Sequence, residues 1–98
     1  DPSHRERFDA VLARAVGPLR VLLELAMPLC RIEGVLLAVK GERATEEIEA
    51  ARKALHALHA GVAATLPTET GTIVVVEKRR ATPRRYPRPP GTPANRPL

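Results

Sequence analysis

Apolar side chains in residues 8–15, FDAVLARA, point to both sides of an extended chain, with Asp9 and Arg14 as the polar exceptions. A strand that is apolar on both faces is typical of a parallel sheet covered by helices. We therefore predict a buried strand over these residues.

Apolar residues then recur at helical spacing. Gly17 and Pro18 predict the start of a helix, because proline lacks an N–H that the first turn leaves unpaired in any case. Pro28 removes a helical hydrogen bond, so the regular helix should end or bend there. The predicted apolar face consists of Leu19, Leu22, Leu23, Ala26, Leu29 and Cys30.

A second strand and a second helix follow. Residues 35–39, VLLAV, predict a buried strand, with the polar residues 31–34 closing the helical unit before it. Thr45 is predicted to cap the next helix and Gly61 to end it. The buried stripe of that helix should contain Ile48, Ala51, Leu55, Leu58 and Val62.

Two further strands are predicted over residues 62–66 and 73–76. The connection between them, PTETG, suits an antiparallel hairpin and is too short for a parallel crossover. The order is then βαβαββ, with three parallel strands and a last antiparallel strand expected at the edge of the sheet. The expected fold class is α/β.

The composition changes after residue 78. Residues 1–78 carry ten basic and eleven acidic side chains, whereas residues 79–98 carry six arginines, no acid and six of the ten prolines. Such a segment cannot bury a core. We therefore predict a partial α/β domain over residues 1–78 and an extended basic tail over residues 79–98.

Composition also bounds the class of protein. A chain of 98 residues with 44% hydrophobic residues predicts one small globular domain. No apolar run approaches the roughly 18 residues of a membrane span, and no signal-peptide core is seen, so we expect a cytoplasmic protein with no membrane contact. Cys30 should be a buried, inert thiol. His56 and His59 lack a third ligand, so no metal site is predicted.

One residue points to a ligand. Ligands of open α/β sheets lie beyond the carboxyl ends of the strands, so Arg14 should face a cofactor crevice; a solvated strand-end arginine is the alternative. No glycine-rich turn, phosphate loop, nucleophile elbow or carboxylate pair is present, so no catalytic residue is predicted. The strand over residues 8–15 needs neighbours on both edges, which predicts that the amino-terminal half of a doubly wound domain lies outside these residues.

The tail has chemistry of its own. Arg84, Arg85 and Arg88 surround Tyr86, an arrangement that suits phosphates and unpaired bases. A basic, solubilising extension is the alternative interpretation.

Four segments together resemble a known family. FDAVLARAVGPL, VLLAVKG, IVVVEK and the terminal TPRRYPRPPGTPANRPL make the chain similar to the RsmG (GidB) family of bacterial 16S ribosomal RNA guanine-N7 methyltransferases. The resemblance covers essentially the whole chain. It implies the second half of a class I S-adenosylmethionine-dependent methyltransferase, a Rossmann-like sheet whose fourth to seventh strands are present here.

The resemblance also implies roles for individual residues. Arg14 would contact the cofactor S-adenosyl-L-methionine. Lys40 would lie near the mouth of the cleft and contact the nucleic acid, and the tail with Arg84, Arg85, Tyr86 and Arg88 would face 16S ribosomal RNA in the small ribosomal subunit. Family members usually carry an Arg-His pair before the last strand, where this chain has Gly71 and Thr72.

Two other functions are compatible with the residues. The first is a non-catalytic RNA-binding module that keeps the half-sheet and the basic tail. The second is an α/β partner domain whose tail only solubilises it. RNA binding that survives without a cofactor favours the module, and the absence of any RNA binding favours the partner domain.

Overall fold

Four strands and four helices make up the regular structure of the described residues. The computed structural model describes residues 5–14 and 17–98. The elements are β1 (Phe8–Arg14), α1 (Leu19–Ala26), β2 (Cys30–Lys40), α2 (Ala44–Ala50), α3 (Arg52–Ala57), β3 (Ala60–Thr68), β4 (Gly71–Lys78) and α4 (Thr92–Asn95), with a 3-10 helix over Met27–Leu29.

The strands form one mixed sheet in the order β1-β2-β4-β3. β1 and β2 are parallel, and β4 is antiparallel to both of its neighbours. The predicted α/β class, the βαβαββ order and the antiparallel last strand are therefore confirmed. This arrangement is that of half of a Rossmann-like sheet.

The position predicted for the reversed strand was wrong. β4 lies inside the sheet, between β2 and β3, and β3 takes the edge. The side chains explain this order. Val74 and Val76 of β4 are fully buried, whereas β3 is exposed from residue 63 onward and contains Pro67. Proline cannot donate a ladder hydrogen bond, so a strand that contains it suits an edge.

One face of the sheet packs against the helices. Alternate side chains of β2 and β4 point to this face, as the period of two along a strand requires. The buried hydrophobic core consists of Leu19, Leu23, Ala26, Met27, Cys30, Leu36, Ala38, Ala44, Ala51, Ala54, Leu55, Leu58, Val74, Val76 and Tyr86.

The opposite face is only partly covered by the described residues. The register aligns Leu12 with Leu37, and Leu37 with Val75, in one row across three strands. Leu12 is 71% exposed. We call this surface the open face; its side chains are Ala10, Leu12, Val35, Leu37, Val39, Ala64, Leu66, Ile73 and Val75.

The first helix is shorter and the second strand is longer than predicted. α1 ends at Ala26 and the 3-10 helix carries Pro28, which confirms that the regular helix stops near the proline. Cys30 lies at the start of β2 and not on a helix, because β2 begins five residues earlier than predicted. A shift of register between β1 and β2 accommodates residues 31–34.

The second helix is divided. α2 begins at Ala44 after Arg43, and Thr45 makes no cap, so that prediction was wrong. Ala51 separates α2 from α3. The chain leaves α3 through His59, which has a positive φ of 57°, and Gly61 belongs to β3 and ends no helix.

Residues 79–98 are packed against the domain and are not an extended, solvated tail throughout. Thr82, Tyr86 and Pro93 are buried in this segment, and α4 forms near its end. Side chains of the domain hold it in place by the contacts described below. We call residues 79–98 the basic segment.

Candidate functional site

The carboxyl ends of β1 and β2 form one edge of the sheet. Arg14 is the last residue of β1 and pairs with Val39, and Lys40 is the last residue of β2. β4 begins at the same edge, where Thr72 pairs with Lys40. Ligands of α/β sheets lie beyond this edge, so we call it the ligand edge. The fold thus places two of the residues singled out in the sequence at the same edge of the sheet.

Arg14 is exposed at this edge. No side-chain hydrogen bond or ion pair to another described residue is recorded for it. Its guanidinium presents five N–H donors in a planar fork that matches a carboxylate or a phosphate. This position is compatible with the predicted role in cofactor binding.

Lys40 lies at the same edge but points into the protein, where it is 8% exposed. Its Nζ donates to the carbonyl oxygen of Gly17 at 3.0 Å and lies 2.7 Å from Oε1 of Glu47. The same oxygen of Glu47 accepts the backbone N–H of Leu19 at 3.0 Å. Internal partners therefore occupy the ammonium, which differs from the RNA contact implied by the resemblance.

Sequence reasoning missed this contact network. From the sequence, Glu47 is only an acid near the start of a helix, where the helix dipole favours a negative charge. Its partners Leu19 and Lys40 lie on other elements, and no local pattern connects residues so far apart in the chain.

Gly71 occupies the position where members of the resembled family usually carry the arginine of an Arg-His pair. A Cβ built on Gly71 would overlap the carbonyl oxygen of Lys40 and lie 3.0 Å from Cα of Gly41. Both neighbours are backbone atoms, so any larger residue here requires a shift of β2 or β4. An arginine side chain at this position therefore does not fit the observed backbone.

The predicted aromatic and basic cluster is divided between surface and core. Arg84 and Arg85 are exposed, and the Arg85 guanidinium lies 5.0 Å from the centre of the Tyr86 ring. Tyr86 itself is 7% exposed and belongs to the core. In this conformation its ring is covered and cannot stack on a base.

Arg88 is bound to the domain. Its guanidinium donates to both carboxylate oxygens of Glu24 at 2.8–3.1 Å, and its backbone N–H donates to Oε2 at 2.7 Å. Glu24 is 1% exposed. Desolvation raises the pKa of Glu24, but the hydrogen bonds from Arg88 outweigh it and hold that pKa below its usual value.

A second set of contacts holds the start of the basic segment. The Arg5 guanidinium donates to the carbonyl oxygens of Thr82, Pro83 and Tyr86 at 2.7–3.1 Å. Glu6 accepts the backbone N–H of Thr82 at 3.2 Å. These contacts join residues more than 75 positions apart in the chain, which is why sequence patterns did not predict them.

Lys78 is a second buried lysine, with no exposed surface, and it lies at the end of the strands opposite to Arg14 and Lys40. Its Nζ donates to the carbonyl oxygens of Met27 at 3.1 Å and Cys30 at 2.8 Å, and it lies 2.6 Å from Oε2 of Glu6. Desolvation lowers the pKa of Lys78 despite this carboxylate. Burial likewise raises the pKa of the Cys30 thiol, which is typical of an unreactive cysteine.

The two candidate regions lie at opposite ends of the sheet. β4 runs antiparallel to β2, so its last residue, Lys78, lies beside Cys30 at the start of β2. The basic segment leaves the sheet there, away from Arg14 and Lys40. A cavity of about 400 Å³ lies beside this segment, lined by Arg5, Leu25, Pro28, Leu29, Arg84, Tyr86 and Pro87.

The described residues contain neither a candidate metal centre nor a membrane-spanning helix. Within 5–14 and 17–98, no three His, Cys, Asp or Glu side chains are grouped so as to hold a metal ion. His56 is exposed, and Nδ1 of His59 lies 2.9 Å from the carbonyl oxygen of Ala81. None of the helices described above has the length and apolar character needed to cross a bilayer.

Comparison with known proteins identifies the family. The model of the GidB family, described as rRNA small subunit methyltransferase G, matches residues 1–74. The chain belongs to this family. The family predicted from the four sequence segments is thereby confirmed.

Individual relatives extend the match over the whole chain. The chain is 48% identical to a protein of Halalkalibacterium halodurans named ribosomal RNA small subunit methyltransferase G, over 97% of its own length. Relatives with the same name in Lactobacillus delbrueckii subsp. bulgaricus and Chloroflexus aggregans are also 48% identical, over 100% and 98% of the chain. The chain spans 42% to 44% of the length of these relatives.

Proposed function

We propose that this chain is the carboxyl-terminal part of an S-adenosylmethionine-dependent methyltransferase that modifies guanine N7 in 16S ribosomal RNA, and that it is inactive without the amino-terminal half. The observation that carries the proposal is 48% identity, over essentially the whole chain, to relatives named as methyltransferases of small-subunit ribosomal RNA. The half-sheet supports it, because its ligand edge presents an exposed arginine.

The described residues fit one side of a cofactor cleft. Arg14 can pair with the carboxylate of S-adenosylmethionine, and a side chain at Gly41 would meet nothing within 4 Å, which leaves open space beside the end of β2. The glycine-rich turn that usually binds a nucleotide is not in these 98 residues. We therefore assign that turn to the half of the relatives that this chain does not match.

The proposed methyl transfer requires alignment of the methyl donor and the acceptor nitrogen more than it requires proton transfer. S-adenosylmethionine, when bound, supplies an electrophilic methyl group. Guanine N7 has a lone pair and no proton, so the acceptor needs no general base, and no residue of this chain is assigned a catalytic role. Holding donor and acceptor in line is what the protein contributes. In this proposal Arg14 does part of that work by orienting the donor.

RNA contact is assigned to Arg84 and Arg85. Both are exposed and lie in a segment whose net charge comes from six arginines without an acid. Tyr86 and Arg88 hold the segment to the domain in this proposal, and Lys40 acts inside the protein. The RNA would then contact the protein both at the ligand edge and at the far end of the sheet.

A chimera tests the proposal. The part of the H. halodurans relative that matches this chain is replaced by the chain itself, and the chimera is incubated with small ribosomal subunits and labelled S-adenosylmethionine. We expect label in 16S RNA at a guanine that becomes sensitive to N7-specific strand cleavage, and none with the 98-residue chain alone. Arg14→Ala in the chimera should weaken cofactor binding, measured by calorimetry, with little change in melting temperature.

The same experiment separates the alternatives. A folded chimera that binds the cofactor but transfers no methyl group to ribosomal RNA would refute the proposal. RNA binding by the 98-residue chain that needs no cofactor and no amino-terminal half would favour the non-catalytic RNA-binding module instead.

A further inference from the structure

We propose that Lys40 is a positioning residue for the ligand edge: through Gly17 and Glu47 it fixes the start of α1 at the edge where β1 ends with Arg14. The role in cofactor binding rests on the function proposed above. The contacts themselves do not.

Two consecutive residues of β2 contact the end of β1 and the residue that lies just before Pro18 and α1. Val39 pairs with Arg14 in the parallel ladder, and the next residue of β2, Lys40, binds the carbonyl oxygen of Gly17 at 3.0 Å. Val39 thus holds Arg14 in the ladder, and Lys40 holds Gly17. In this way β2 fixes the end of β1 and the start of α1 relative to each other.

Glu47 extends this anchor to a third element. Its Oε1 accepts the backbone N–H of Leu19, which is a first-turn donor without a helical partner, and it pairs with Lys40 at 2.7 Å. β2, α1 and α2 consequently meet at one ion pair. A change in either partner should move the start of α1 relative to the sheet.

Burial gives the contact its strength. Lys40 is 8% exposed, so removing its ammonium would leave the Gly17 carbonyl without this donor and Glu47 without its counter-ion. Charge-assisted hydrogen bonds shielded from water are stronger than neutral ones in solvent. The position of Arg14 should therefore respond to Lys40, although no hydrogen bond or ion pair joins the two side chains.

Lys78 provides a matched control. It is also a buried lysine bound to one glutamate and to backbone carbonyls, but it acts at the opposite edge of the sheet. Lys40→Met and Lys78→Met remove the same charge and the same number of atoms. A general loss of stability would affect both variants, whereas positioning of the ligand edge should involve Lys40 alone.

Two measurements distinguish the variants. In the chimera, Lys40→Met should raise the Kd for S-adenosylmethionine about ten-fold, as expected for the loss of a charged hydrogen bond. The kcat at saturating cofactor should change much less, because Lys40 does not touch the reacting atoms. Lys78→Met should leave that Kd within about two-fold of the unsubstituted chimera.

Hydrogen exchange tests the anchor without any cofactor, on the 98-residue chain. Lys40→Met should speed exchange of the first amides of α1, at Leu19, Val21 and Leu22. Lys78→Met should instead speed exchange at Glu6 and Arg7, whose amides bond to the carbonyls of Pro28 and Leu29. If the unsubstituted chimera binds no cofactor, the proposed function is refuted. The hydrogen-exchange experiment still tests whether Lys40 fixes the start of α1.

Equal effects of the two lysine substitutions on Kd and on the exchange pattern would overturn the inference. Glu47→Gln serves if Lys40→Met does not fold, because glutamine keeps an acceptor for Leu19 and removes only the charge. It should raise the Kd by a smaller factor at nearly constant melting temperature. An unchanged Kd and exchange pattern in Glu47→Gln would equally overturn the inference.

Discussion

At the scale of single residues, buried charges in this protein are tied to specific partners. Glu24 is buried in the helix layer, and it accepts hydrogen bonds from both the backbone and the guanidinium of Arg88. Glutamate is almost never fully buried unless it is paired. Arg88 therefore makes the burial of Glu24 tolerable, and Glu24 in turn holds the basic segment against α1.

This pair predicts a pH dependence. Because the pKa of Glu24 in the folded protein lies below its ordinary value of 4.5, the stability it adds is present above pH 4.5 and is lost as the pH falls through the folded value. Glu24→Gln should lower the melting temperature at neutral pH by several degrees. The difference from the unsubstituted chain should narrow in acid.

Thermal unfolding followed by circular dichroism from pH 7 to pH 3 measures this. Glu46→Gln is the control, because Glu46 pairs with Arg43 on the surface of α2, where both side chains are largely exposed. Exposed pairs contribute little to stability. A pH profile of Glu24→Gln that runs parallel to the unsubstituted profile would show that this carboxylate does not carry the effect.

At the scale of elements, the basic segment illustrates how packing overrides composition. Residues 79–98 have the prolines and the charge of a disordered tail, and such composition alone predicts no burial. Arg5, Glu6 and Glu24 supply the acceptors and donors that the segment needs. What is left on the surface is a smaller set of cations than the sequence suggested.

The exposed arginines of the basic segment lead to a prediction about how RNA affinity depends on salt concentration. Each arginine that neutralises a phosphate steepens the log–log dependence of affinity on salt by about 0.7 to 0.9. Replacing Arg84 and Arg85 together by alanine in the chimera should therefore flatten the slope by roughly 1.5. Cofactor affinity should stay the same, since the ligand edge lies at the other end of the sheet.

Arg88→Ala is the comparison for this double substitution. It should lower the melting temperature, because it leaves Glu24 buried without its partner, and it should change the slope little in protein that remains folded. Fluorescence anisotropy with a 16S RNA fragment at several salt concentrations gives both slopes. An unchanged slope in the double variant would remove Arg84 and Arg85 from the RNA contact.

At the scale of the whole molecule, the open face and the outer edge of β1 set the expected behaviour of the chain. β1 ends the sheet in the part of the chain that is described, and Leu12 on it is 71% exposed. The chain spans 42% to 44% of the relatives, so more than half of their length is available to cover these surfaces. An uncovered strand edge beside an apolar face is a template for pairing with another chain.

We therefore predict that the 98-residue chain associates in solution and that Leu12→Lys reduces this association. Leu25→Lys is the control, because Leu25 is also an exposed leucine but lies on α1, away from the open face. Sedimentation velocity over a range of concentrations measures the effect. A monodisperse monomer before any substitution would contradict both the prediction and the need for an amino-terminal half.

The local pattern of side chains determined the class of the fold. Apolar runs, helical spacing and a short hairpin connection depend on neighbours in the chain, so the four strands and their directions could be predicted. The family was predicted separately, from the resemblance of four sequence segments. The stop near Pro28 could be predicted for the same reason, since proline acts on its own helix.

The tertiary structure alone decided where β4 lies, which lysines are buried and what holds the basic segment. Each of these depends on partners distant in sequence: β4 meets β2, Lys40 meets Gly17 and Glu47, and Arg88 meets Glu24. The sequence shows that Lys40 and Arg88 are positively charged, but only the fold shows whether each charge is solvated, contacts RNA or pairs with a buried carboxylate. For this reason the position of Arg14 at the carboxyl end of β1 could be predicted from the strand pattern, whereas the internal partners of Lys40 and Arg88 emerged only from the structure.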